Sequence, residues 1–142
     1  MGRDSNESAT ATVLVVDDEE DIVTYLVTLL QDCGYRALGA CNAATALEAI
    51  REVAPDLILL DIMMPGQSGL SLYQKLRGFG RTVDVPVLFI SGCRQIDGLG
   101  KWAEECNVEI DEAACYFEKP IRPEELMRRI RDLLPRTQEV VL

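Results

Sequence analysis

The sequence predicts an α/β fold in three layers: a doubly wound, five-stranded parallel sheet with helices on both faces. Three observations predict it. Short apolar runs alternate regularly with stretches of helical spacing, two of those runs are apolar on consecutive positions, and no segment repeats another. A strand apolar on both faces has no solvent side, which places it inside a parallel sheet. The 142 residues are enough for one domain to bury a core unaided.

Val13-Leu14-Val15-Val16 is the first strand and ends in Asp17-Asp18. Ile22, Leu26, Leu29, Leu30 and Cys33 then recur at helical spacing, and Gly34 stops that helix. Tyr35 to Ala40 is a weaker strand candidate. Asn42 reads as the N-cap of a helix through Val53, with Leu47 and Ile50 inward. Asp56 to Asp61 (DLILLD) is the central strand, and Met64-Pro65-Gly66 breaks the chain after it. Ser68 to Phe79 returns to helical spacing through Leu72 and Leu76. Val85 to Ile90 is a second buried strand closed by Ser91, and Ala114 to Glu118 is the fifth, closed by Lys119-Pro120. The last helix opens with Pro123, a residue suited to the first helical position, and carries Leu126, Ile130 and Leu133. Glu124 and Glu125 lie near its start and Arg128, Arg129 and Arg131 towards its end, as the helix dipole favours.

On this reading residues 1–12 are a flexible tail, 12–134 the folded domain, and 135–142 a C-terminal tail or truncated linker. The net charge of −10 argues against direct binding to nucleic acid and against adhesion to an anionic membrane. No apolar run approaches the ~20 residues that span a bilayer. The N-terminal segment lacks the apolar core of a signal peptide. The five cysteines (Cys33, Cys41, Cys93, Cys106, Cys115) show no metal-ligand pairing and there is no histidine. They read as small core residues in a reducing cytoplasm.

In a doubly wound sheet, ligands bind beyond the carboxyl ends of the strands. Asp17 and Asp18, Asp61, Ser91 and Lys119 all fall there. Three carboxylates on one edge repel one another, which a bound cation or a protonated acid must relieve. Oxygen ligands without His or Cys suit Mg²⁺. A carboxylate can attack phosphorus to give an acyl phosphate, and Asp61, ending the central strand, is the natural nucleophile. Asp17 and Asp18 would hold the metal, Lys119 would add positive charge, and Ser91 a hydroxyl donor to the phosphoryl group.

Residues 13–19 (VLVVDDE), 56–66 (DLILLDIMMPG), 90–92 (ISG) and 116–120 (YFEKP) together resemble the motifs of response regulator receiver domains, the CheY-like family. The resemblance spans roughly residues 12 to 134 and implies the flavodoxin/CheY-like (βα)5 architecture. It implies Asp61 as phosphoacceptor from a phosphohistidine, with Asp17, Asp18, Asp61 and the Met63 backbone carbonyl as Mg²⁺ ligands. Ser91 and Tyr116 become the switch pair, Lys119 the catalytic lysine, and Lys119-Pro120 a cis peptide. The implied partners are a histidine kinase or histidine phosphotransfer protein, an output domain or protein target, and a second copy in a phosphorylation-dependent homodimer. Such a protein is no conventional enzyme, since it catalyses only its own phosphorylation and dephosphorylation.

Two features depart from the family pattern. Gly92 stands where alanine is frequent, and the span from Ser91 to Lys119 is long and acidic, with six acids within residues 94–112. That extension reads as a solvated loop, with Trp102 packing it to the body.

Each residue also has a structural reading alone: Asp18 as a helix cap, Ser91 as an N-cap, Lys119 as a surface lysine, Tyr116 as strand packing. Their joint placement outweighs those readings. Two other functions compete. An aspartyl-phosphate phosphatase needs a second acid two residues after the nucleophile, where this chain has Met63. A flavodoxin-type nucleotide module needs a Gly-rich loop where this chain has Asp17-Asp18-Glu19-Glu20.

Overall fold

The computed structural model describes residues 10–61, 69–78, 85–91, 116–118 and 120–134. Five strands form one sheet: β1 Thr12–Val16, β2 Arg36–Ala40, β3 Leu57–Asp61, β4 Val87–Ser91 and β5 Tyr116–Glu118. The order is β2-β1-β3-β4-β5 and every neighbouring pair is parallel. The chain therefore reverses its direction of winding between β1 and β3, where such sheets open a crevice. Four helices are present among the described residues: α1 Glu20–Asp32, α2 Ala43–Glu52, α3 Gly69–Arg77 and α4 Pro123–Leu133. Trp102 and the acidic extension lie outside the described residues.

The two-residue period of the strands divides the core into two layers. Val13 and Val15, Leu57 and Leu59, and Leu88 and Ile90 pack with Val23, Leu26 and Leu30 of α1 and Leu126 and Ile130 of α4. Leu14 and Val16, Ile58 and Leu60, and Val87 and Phe89 pack on the other face with Ala43, Ala46 and Ile50 of α2 and Leu72, Tyr73 and Leu76 of α3. Every residue of β1 and of β3 is buried, as the unbroken apolar runs predict. A guanidinium ties α3 to β4. Arg77 lies 4.6 Å from the Tyr73 ring centre and donates to the Val85 carbonyl at 2.9 Å, and Tyr73 packs against Phe89.

Helix ends follow local chemistry. The Asn42 side chain accepts from the Thr45 N–H at 2.8 Å, the expected cap. At the end of α1, Gly34 takes φ +95°. Its N–H donates to the Gln31 carbonyl and that of Tyr35 to the Leu30 carbonyl, which satisfies the last turn. Gly34→Ala is expected to cost about 1 kcal/mol, since a Cβ crowds the backbone at positive φ. A urea midpoint left unchanged would contradict that reading.

The packing of α1 corrects the sequence in two places. Of the predicted Ile22, Leu26, Leu29 and Leu30, Leu26 and Leu30 are buried, whereas Ile22 and Leu29 are half-buried and Val23 takes the remaining inner position. Cys33 caps the helix and is exposed rather than core, because Gly34 turns the chain away there. Cys41 is half-buried, and the other three cysteines lie outside the described residues. Pro86 shortens the fourth strand to Val87–Ser91, since proline has no N–H for the ladder.

Candidate functional site

Strand register alone brings two of the acids together. Val16 of β1 is level with Leu60 of β3, so the next residue along each strand is Asp17 and Asp61. Both continue the rows that begin Val13-Val15 and Leu57-Leu59, and so share a face. Neighbouring strands lie about 4.8 Å apart. The carboxylates of Asp17, Asp18 and Asp61 accordingly each offer an oxygen within 4.8 Å of the others.

The three differ in exposure. Asp17 and Asp61 are 2% and 6% exposed, whereas Asp18 stands in solvent. Asp17 is fixed from both sides: its N–H donates to the Ala40 carbonyl, and its Oδ1 accepts from the Glu19 N–H at 2.9 Å. Asp18 does not cap the first helix; Glu19 occupies the N-cap position, with no side-chain cap. The donor set is all oxygen, partly buried and open on the Asp18 side, which fits a hard cation that keeps some of its water.

The other predicted residues are placed unevenly. Ser91 ends β4, level with Glu118, and Tyr116 opens β5, level with Phe89, so both belong to the sheet near this edge. Met63, Gly92 and Lys119, and with Lys119 the expected cis peptide, lie outside the described residues. Sequence reasoning missed a feature beside the acids. Asp21, Ile22 and Tyr25 of α1 and Pro120 and Ile121 line a mostly apolar cavity of about 340 Å³. Tyr25 is the large apolar side chain left most exposed among the described residues, at 45%. The signal was present as Ile22 and Tyr25 on one helix edge, three apart, next to acids.

Comparison with known proteins agrees with this arrangement. The family model of the response regulator receiver domain matches residues 13–131. The phosphate regulon transcriptional regulatory protein PhoB of Pseudomonas aeruginosa is 37% identical over 130 residues, covering 89% of this chain and 52% of PhoB. The DNA-binding response regulator MtrA of Mycolicibacterium smegmatis is 30% identical over 131 residues, covering 89% and 52%. The chemotaxis protein CheY4 of Vibrio cholerae superposes with a TM-score of 0.75 over 88% of this chain and 99% of that one. At 24% identity that likeness speaks for the fold. The chain belongs to the response regulator receiver domain family and is a receiver domain of two-component signalling. It spans about half the length of the curated relatives it matches.

One expectation is overturned. The charge of −10 argues against direct contact with nucleic acid, yet MtrA is a DNA-binding response regulator by name. Net charge bounds the partners of the segment that carries it; it says nothing of the remaining half of such a regulator. On the membrane, no helix among the described residues is long and apolar enough to cross one.

Proposed function

We propose that Asp61 accepts a phosphoryl group from a phosphohistidine, with Mg²⁺ held by Asp17, Asp18, Asp61 and the Met63 carbonyl. The observation that carries this is the buried Asp17–Asp61 pair, side by side at the ends of β1 and β3 with Asp18 beside it. A bound Mg²⁺ supplies positive charge that offsets the carboxylates and the phosphoryl oxygens. An Asp61 carboxylate oxygen bonds to phosphorus as the P–N bond to the imidazole breaks, and the released ring nitrogen takes up a proton. Burial of Asp61 orients it and limits water at the reacting oxygen. Lys119 pairs with the added charge, and Ser91 donates to a phosphoryl oxygen while Tyr116 follows its movement.

The reaction is one transfer onto the protein itself, so the chain is a switch rather than an enzyme acting on a separate substrate. Its place is the cytoplasm, where a kinase or phosphotransfer protein would meet it. The apolar cavity beside the acids, with Tyr25 on its rim, supports a protein as the donor. The output of PhoB and MtrA, transcription, is a reading for a longer protein that carries this domain.

A small acyl-phosphate donor with Mg²⁺ tests the assignment. Intact-mass measurement should show one added phosphoryl group on the wild type and none on Asp61→Asn or in excess chelator. Full labelling of Asp61→Asn would refute it.

A further inference from the structure

At the opposite edge of the sheet, where β1 and β2 begin, lies a second cavity of about 360 Å³. Its walls come from both helical layers: Gln31 and Tyr35 at the end of α1, Val53 after α2, and Thr12, Arg36, Ala37 and Leu38 of the two strands. Receiver chemistry at Asp61 makes no use of it. We propose that this cavity is a binding site for a small carboxylate with an apolar body, its carboxylate held by Arg36 and its body against Leu38 and Val53.

Two observations carry the proposal. Thr12 is the first. It is 7% exposed and lines the cavity, yet its hydroxyl makes no hydrogen bond among the described residues. Its backbone is fully engaged instead: the N–H donates to the Asp56 carboxylate at 2.8 Å and the carbonyl accepts from the Asp56 N–H. A buried hydroxyl without a partner is costly, and a ligand oxygen reaching it would recover that cost.

Arg36 is the second. Its guanidinium has no hydrogen-bond or ion-pair partner among the described residues, in a chain with a surplus of ten negative charges. A planar guanidinium matches a carboxylate with two parallel hydrogen bonds. Asp56 is engaged by the Thr12 N–H and is not among the residues lining the cavity.

Size sets the ligand class. An engineered cavity of about 150 Å³ holds a benzene ring. The space here takes such a ring together with a short carboxylate arm, at the lower end of ligand pockets, about 300 Å³ and upwards.

Nuclear magnetic resonance titration of the full chain with phenylacetate, 2-phenylethanol and acetate tests the site. Phenylacetate should give saturable shifts at Thr12, Tyr35 to Leu38 and Val53, and bind roughly tenfold tighter than either other probe. Arg36→Gln should weaken it roughly tenfold, and Thr12→Val about threefold, both with an unchanged unfolding midpoint or a slightly raised one. The proposal fails if no probe gives a saturable shift, so that the cavity takes water only. It fails equally if the shifts gather at Ile22, Tyr25 and Ile121, if 2-phenylethanol binds as well, or if Arg36→Gln binds normally. None of these readouts depends on phosphorylation of Asp61.

Discussion

Asp17→Asn is expected to weaken Mg²⁺ binding at least about a hundredfold and, in the same protein, to raise the melting temperature in chelator. Two nearly buried carboxylates within 4.8 Å of each other cause both effects. At an effective dielectric near 20, like charges at that distance repel by roughly 3 kcal/mol. The folded protein carries that cost without metal, and the unfolded chain does not. Asparagine keeps an Oδ1 to accept from the Glu19 N–H, so the entry to α1 survives the change. Partners of Asp61 absorb some of the repulsion, so a gain of about 1–2 kcal/mol is expected, or several degrees at about 2–4 °C per kcal/mol. Stabilisation by added Mg²⁺ should nearly vanish, because a hundredfold loss of affinity removes about 2.7 kcal/mol of linkage. Asp18→Asn is the control. That side chain stands in solvent, so metal affinity should fall with little change in the metal-free melting temperature. Equal melting temperatures for wild type and Asp17→Asn in chelator, with the Mg²⁺ shift intact, would remove the cluster from any account of metal binding.

How far the sequence reveals this site depends on which physical rule is in play. The pairing of Asp17 with Asp61 was legible, because it needs only the two-residue strand period and parallel strands that end level. The interior places of β3 and β4 were legible for a similar reason, since a strand apolar on both faces has no solvent side; the order of the five strands is not fixed by that alone. Burial of Asp17 against exposure of Asp18 was not legible in two adjacent identical residues; it follows from where α1 starts. The facing of α1 was legible in part: Leu26 and Leu30 are buried as predicted, but Val23 takes an inner position ahead of Ile22 and Leu29. Ile22, Val23, Leu26, Val27, Leu29 and Leu30 cover nearly half the helix, roughly 160° of its circumference, and pattern alone cannot choose the part of that arc that meets the sheet. The partner surface chooses it, and on the edge strand β2 that surface includes a residue with no side chain. Cys33 went wrong because extending the arc of Leu26 and Leu30 by one turn carries a capping residue into the core. The charge argument failed differently, by treating one domain's balance as a property of any protein that contains it.

Gly39 is that residue, and replacing it is expected to move both the helix and the metal site. It lies in β2 level with Val15, on the α1 face of the sheet. A Cβ built there overlaps Val23 Cγ1 and comes within 3.4 Å of Val27 Cγ2. Val23 is buried and branched at Cβ, so it has little rotamer freedom with which to give way. Gly39→Ala should therefore cost about 1–3 kcal/mol, in the range of overpacked cores, and Gly39→Val more. Relief comes by tilting α1 outward, and the start of that helix is where the Glu19 N–H holds Asp17 and where Asp18 is aimed. A weakening of Mg²⁺ binding by several-fold should accompany the loss of stability, although Gly39 touches none of the acids. Val23→Ala supplies the internal test. Alone it should destabilise by about 2 kcal/mol, but combined with Gly39→Ala the new methyl occupies the space that Val23 vacates. The pair should then show a coupling of at least about 1 kcal/mol in urea unfolding, with Mg²⁺ affinity recovered towards the wild type. Simple additivity of the two changes would mean that the contact between Val23 and the glycine does not set the position of α1.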